Sequence, residues 1–133
     1  MSEENVEIIR GAFAAVTIPG DPEGMVAASA PGFEMHLIGV TGEAVCYTGA
    51  SGIREWFRDV AQSWESFRLE ATDVRDLGDR VLVLADVRAR GRVSGVEVDD
   101  RWAWIVELRE GRAVSLRGFQ DQGEALEAVG LRE

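Results

Sequence analysis

One side chain in this sequence, His36, has a reference pKa of about 6.5 and could exchange a proton near neutral pH without help from its surroundings. A general-base role therefore falls to it first, against the alternative of a structural histidine bonded to backbone or to a nearby carboxylate. The sequence offers His36 few partners. With a single histidine, no metal site built on two histidines can form. With a single cysteine, Cys46, neither an internal disulfide nor a thiolate cluster can form, and nothing points to a lowered thiol pKa. All 14 basic residues are arginines, which removes a phosphate-loop lysine, a Schiff-base lysine and a Ser-Lys pair. No G-x-S-x-G elbow and no G-x-G-x-x-G fingerprint occurs. We expect no metal and no cofactor.

The aromatic residues are the other chemical resource. Trp56, Trp64, Trp102 and Trp104 either cage a flat apolar ligand or fill the core between helix and sheet. Tyr47 either offers its hydroxyl to a pocket mouth or anchors a loop.

These residues must be positioned by a small frame. A chain of 133 residues with 46 % apolar and 29 % charged composition suits a single globular domain, residues 1–133. Val6, Ile9, Phe13 and Val16 recur at helical spacing over 3–16, and Pro19-Gly20 ends that segment. Asp21 with Pro22 starts a short helix to about Ser29, stopped by Pro31-Gly32. Phe33–Ile38 reads as a short strand and 39–49 as a loop containing Tyr47. Ile53, Trp56, Phe57, Val60 and Trp64 form one apolar stripe of a helix that Ser51 could cap. From residue 66 the period changes to two, giving strands over 67–75, 81–92, 97–108 and 112–120. Ser94-Gly95 reads as a tight hairpin turn, with Val87 opposite Trp102 and Ala85 opposite Trp104. Asp121 and Glu124 resemble a capping box for a last helix over 122–129, with Gly130 as its C-terminal stop. Helices first and strands after give an α+β fold. One sheet face carries Val83, Ala85, Val87, Trp102, Trp104 and Val106, and the helices are expected on it. The other carries Leu84, Asp86, Arg88, Arg90, Arg101, Ala103, Ile105 and Glu107.

Charge narrows the partners. Against 14 arginines stand 24 acidic residues, a net charge of −10. Nucleic acid and anionic membranes both require a basic footprint, so neither is an expected partner. No apolar run approaches the roughly 20 residues that span a bilayer, and Met1-Ser2-Glu3-Glu4 lacks the basic-then-apolar order of a signal peptide. A cytoplasmic location is expected. The mixed outer sheet face suggests a homodimer joined there, with Arg88, Arg90 or Arg101 paired to acidic residues across it.

The order of elements resembles the NTF2-like superfamily, and most of all its SnoaL-like, ketosteroid-isomerase-like group. The matching stretches are Gly20-Asp21, Tyr47-Thr48-Gly49 before Gly52-Ile53-Arg54, Ser94-Gly95-Val96, Arg109-Glu110-Gly111-Arg112 and Glu124-Ala125-Leu126. The resemblance implies a strongly curved antiparallel sheet wrapped on three to four helices as a cone with a pocket inside. It implies a polyketide-cyclase-like or isomerase-like protein that holds a small hydrophobic molecule there. The catalytic carboxylate of ketosteroid isomerases falls on His36, and their oxyanion-hole tyrosine and aspartate fall on Phe13 and Trp104. The acid–base triad of limonene-epoxide hydrolases falls on Ala85, Val87 and Gly118, and is absent. The resemblance thus implies His36 as catalytic base. The ligand would be held by Phe13, Tyr47, Trp56, Trp64, Val83, Ala85, Trp102, Trp104, Leu116 and Gly118. The alternative is a non-catalytic accessory module whose pocket is filled by its own tryptophans.

Overall fold

The computed structural model describes residues 2–18, 20–38 and 43–130. Pro19 of the expected helix stop and residues 39–42 of the expected loop lie outside the described residues. The first apolar stripe folds as α1 (Ser2–Ala14) and buries Ile9 and Phe13. A two-residue strand, β1 (Thr17–Ile18), follows. Asp21 accepts a hydrogen bond from the Glu23 backbone N–H at 2.9 Å just ahead of α2 (Glu23–Ala27), whose N-cap is Pro22 and not Asp21 as expected.

The next strand, β2 (Ser29–Ile38), runs through Pro31-Gly32 instead of starting after it. β3 (Ala44–Thr48) then pairs antiparallel with β2, so Tyr47 lies on a strand and not in a loop. The strongest helical stripe gives α3 (Gly49–Ser63). It starts two residues before Ser51, and Trp64 is already the first residue of β4 (Trp64–Asp76). β5 (Arg80–Gly91), β6 (Glu97–Arg109) and β7 (Arg112–Phe119) complete a meander. The last turn uses Glu110 at φ 52° and Gly111 at φ 76°, the left-handed pair that matches the twist of a tight hairpin.

The strands form one strongly curled sheet in the order β1-β4-β5-β6-β7-β2-β3. Its neighbours are antiparallel except β2 and β7, which run parallel. Extra residues on β4 at Glu65 and Thr72 break the β4–β5 register, and such bulges bend a strand and increase its twist. In the β5–β6 hairpin, Val83 faces Trp104 and Ala85 faces Trp102. That is two residues away from the expected pairing. The cause is the turn: Gly91 donates to the Val96 carbonyl at 2.8 Å, so residues 92–95 form a four-residue loop. An even shift leaves each side chain on its expected face.

The main core joins Ile9, Phe13, Ile53 and Phe57 of the helices to Phe67, Val83, Val87 and Val106 of the sheet. The last helix, α4 (Gln122–Ala128), is capped as expected: the Asp121 carboxylate accepts from the N–H groups of Gly123 at 2.7 Å and Glu124 at 3.2 Å. It does not join the other helices. Its Ala125 and Leu126 pack on Leu82 and Ala103, on the opposite side of the sheet. The expectation that all helices share one face is corrected by this second core. Among the described residues, no helix is long and apolar enough to cross a membrane.

Candidate ligand cavity

The curled sheet and helices α1 to α3 leave a cavity of about 470 Å³. That lies within the roughly 300–1,000 Å³ of ordinary small-molecule sites. Buried residues form its floor, among them Phe13, Met35, Val87, Trp104 and Leu116. Exposed residues that also line it, Glu43, Asp59, Ser63 and Gln120, mark its rim. The charged side chains of this lining are Glu43 and Asp59, and among the described residues no arginine or histidine contributes.

All four tryptophans line the cavity. Trp56, Trp102 and Trp104 form part of a continuous aromatic wall. Phe13 meets Trp104 edge-on at 5.3 Å between ring centres, and Trp104 lies 6.3 Å from Trp102. Phe67 lies 6.2 Å from Trp102 and 6.0 Å from Trp56. Edge-to-face contacts of this kind fix the rings in place beyond what apolar burial alone gives. Trp102 is also held by its indole N–H, which donates to the Asp100 carboxylate at 2.9 Å. Trp104 is only 6 % exposed as a residue, and its Nε1 sits beside Gly118: a Cβ built there would be 3.3 Å from that nitrogen and 2.7 Å from Leu37 Cδ2. The missing side chain of Gly118 is what lets Leu37 and Trp104 pack this closely against the strand.

Tyr47 reaches the cavity from β3 and donates its hydroxyl to the Asp59 carboxylate on α3 at 2.7 Å. Gly52 allows the approach, because a Cβ there would lie 2.9 Å from the Tyr47 carbonyl carbon. Partial burial, and then the hydrogen bond and charge of Asp59, push the Tyr47 phenol up to about 12. It is therefore a neutral donor throughout the physiological range.

Of the expected site residues, Phe13, Tyr47, Trp56, Trp64, Trp102, Trp104, Leu116 and Gly118 are brought together around the cavity. Three are not. His36 lies on the other face of β2, its side chain half exposed and 3.1 Å from Glu34. Inward positions on that strand belong to Phe33, Met35 and Leu37, so strand alternation turns His36 away from the cavity. The signal was present in the alternation of Phe33, Met35 and Leu37 with Glu34 and His36. Val83 and Ala85 have the expected inward face but are fully buried in the core, while Val87 and Ala89 of the same strand line the cavity. Asp59 and Gln120 were missed. Asp59 lies exposed on α3 off the apolar stripe, and only its hydrogen bond to Tyr47 reveals it.

Comparison with known proteins adds to this picture. The sequence model of the SnoaL-like domain matches residues 9–116. No curated protein matches the chain. Among solved structures, an NTF2-like protein of unknown function from Burkholderia pseudomallei superposes with a TM-score of 0.79 at 22 % identity, covering 96 % of this chain and 98 % of that one. The crystal structure of TerC co-crystallised with polyporic acid gives 0.76 at 22 % identity, covering 95 % and 98 %. A protein assigned as a SnoaL-like polyketide cyclase, from Jannaschia sp. CCS1, gives 0.76 at 19 % identity, covering 98 % and 94 %.

Proposed function

The chain belongs to the SnoaL-like family, and on that premise we propose that it binds a small, mainly apolar organic molecule inside its cone. One observation carries the reading: four tryptophans line an open space of about 470 Å³ instead of filling it. A tryptophan-filled accessory module is less well supported for the same reason. Apolar lining supplies most of the affinity in such a site, and a few fixed polar groups supply orientation. The co-crystallisation of TerC with polyporic acid is in keeping with this use of the fold.

The test is a titration with a neutral apolar dye such as N-phenyl-1-naphthylamine. Saturable binding of one dye per chain, weakened at least tenfold by Val60→Phe at the cavity wall, is the expected result. A dye that shows no saturation, or binds the variant equally well, rejects the reading.

A second reading is a proton-transfer enzyme of the isomerase or cyclase type, working without metal or cofactor. His36 is outside the cavity, so the group that supports this reading is Asp59, a carboxylate held by Tyr47 at the cavity rim. In a turnover assay, Asp59→Asn would then lower kcat by roughly 10²- to 10⁴-fold while His36→Ala leaves it unchanged. The reverse pattern would return the role to His36.

Two further expectations are part of the proposal. A homodimer through the exposed part of the outer sheet face is supported by Arg88 and Arg101, which lie exposed opposite Asp99 and Asp86 without an ion pair among the described residues. Light scattering at micromolar concentration tests it. A cytoplasmic location suits the exposed, unpaired Cys46 thiol, and cell fractionation tests that.

A further inference from the structure

The charge around the cavity is one-sided. Its charged side chains are Asp59 and Glu43, and no cation of the described residues lines it. Elsewhere carboxylates do find cations, as Glu23 does with Arg54 and Asp73 with Arg75, each at 2.8 Å. Asp59 has no such pair among the described residues; the neutral Tyr47 hydroxyl bonds its Oδ2 and adds no positive charge. It shares the cavity side of α3 with Trp56, Val60 and Ser63, at spacings of three and four residues, so carboxylate and indole are neighbours. An uncompensated charge at the mouth of an apolar space is strengthened by the low-dielectric walls. The rings add to the same preference. Phe67 stands at 85° to Trp56 and at 50° to Trp102, with centres 6.0 and 6.2 Å away. Rings at such different angles cannot all turn their edges to one ligand group, and a ring face attracts a cation within about 6 Å of its centre.

We propose that the cone takes an organic cation: an apolar body carrying an alkylated ammonium group, with the ammonium between the Asp59 carboxylate and the Trp56 ring and the body against Trp102 and Trp104. The proposal rests on the reading of the cone as an apolar-ligand site and adds the ligand's charge. A neutral ligand gains apolar burial but leaves the field of Asp59 unused. An anion meets two carboxylates without a counter-charge and gives up its hydration. An alkylated ammonium presents its charge through methyl or methylene groups, so it can touch rings and carboxylate together.

The experiment uses the full chain and three probes of nearly equal shape: trimethyl(2-naphthyl)ammonium, 2-tert-butylnaphthalene and 2-naphthalenesulfonate. Each is followed by displacement of bound N-phenyl-1-naphthylamine. The cation is expected to bind about tenfold tighter than the hydrocarbon, and the sulfonate more weakly than both. Asp59→Asn keeps an acceptor for Tyr47 and should cut the ratio of cation to hydrocarbon affinity by roughly threefold or more. Asp99→Asn removes the same charge from the outer sheet face and should leave that ratio as it is. If Asp59→Asn does not fold, the unmodified protein still answers: raising the ionic strength from about 0.01 M to about 0.3 M should weaken the cation and not the hydrocarbon. Equal affinity for cation and hydrocarbon, independent of salt, overturns the proposal and leaves apolar binding intact. An equal fall of the ratio in Asp99→Asn overturns the assignment to Asp59, and sulfonate as the tightest probe overturns the choice of a cation. A dye that does not saturate, with no binding of any probe by calorimetry, overturns both this proposal and the reading it rests on.

Discussion

The β5–β6 hairpin presents two faces built from alternate residues of the same two strands, and they meet different surroundings. On the inner face Val81, Val83, Ala85, Val87 and Val106 are sealed along the length of the hairpin. The outer face divides. At one end Leu82 and Ala103 are just as thoroughly sealed, beneath α4. At the other, Arg88, Arg90 and Arg101 stand exposed. Strand alternation therefore settles which side a residue takes, but not whether that side is core. A seven-residue helix from the end of the chain decides the latter. The exposed end adds little to stability, since Arg90 and Glu65 are 3.8 Å apart with both side chains more than half exposed.

Placing a charge on the sealed inner face should have the largest effect. Val83→Asp would bury a carboxylate without a partner, at a cost comparable to the whole stability of a small domain. We expect loss of the cooperative thermal transition by circular dichroism. A variant that melts normally would break the distinction between the faces. Next comes Leu82→Ala, beneath α4. If the second core is real packing, chemical denaturation should show a loss of about 2–5 kcal/mol. A loss below about 1 kcal/mol would make that end of the outer face equivalent to the exposed one.

Tyr47, at the rim where sheet meets helix, gives a smaller and pH-dependent effect. It is the chain's one tyrosine, so phenolate absorbance reads it alone. Half-titration is expected near 12 in the folded protein, against about 10 in the unfolded chain. Because folding raises this pKa, the stability it contributes is complete below pH 10 and is lost as pH rises towards about 12. Relative to Tyr47→Phe, the natural protein should lose stability over that window. Burial is the leading cause of the shift, so Asp59→Ala should reverse only part of it. The smallest effect belongs to Arg88→Ala on the exposed end, within about 0.5 kcal/mol of the parent by denaturant titration.

Much of this arrangement could be read from residue spacing. The α3 stripe carries enough turns for the helical period to stand out, and the long strands carry enough alternation to assign their faces despite a two-residue error in register. β3 was hidden because five residues between glycine-bearing segments give only Val45 and Tyr47 as inward positions. Trp64 was misplaced because its spacing fits the helical stripe, while its backbone, at φ −121° and ψ 128°, is already extended. The cavity residues were legible where a large aromatic ring on an inward position had to go somewhere. His36 was not, because the resemblance that pointed to it carries no information about which face of the strand a residue takes. Asp59 was not, because a helix-surface carboxylate looks the same in sequence whether it meets water or a phenol from another strand.

The parallel pairing of β2 with β7 has a consequence for the making of the chain. β2 has only β3 and β7 as neighbours in the sheet, and its residues pair with partners about 80 positions further on, His36 with Arg117 among them. During synthesis the β2–β3 hairpin leaves the ribosome long before β7 exists. Until residue 117 is in place, one edge of β2 has no strand to bond, and Phe33 and Met35 have no completed cone to enter. Closure of the cone is thus a late event that must wait for β7. In the interval, the nascent chain carries an unpaired strand edge beside apolar side chains, the combination most open to pairing with the wrong neighbour.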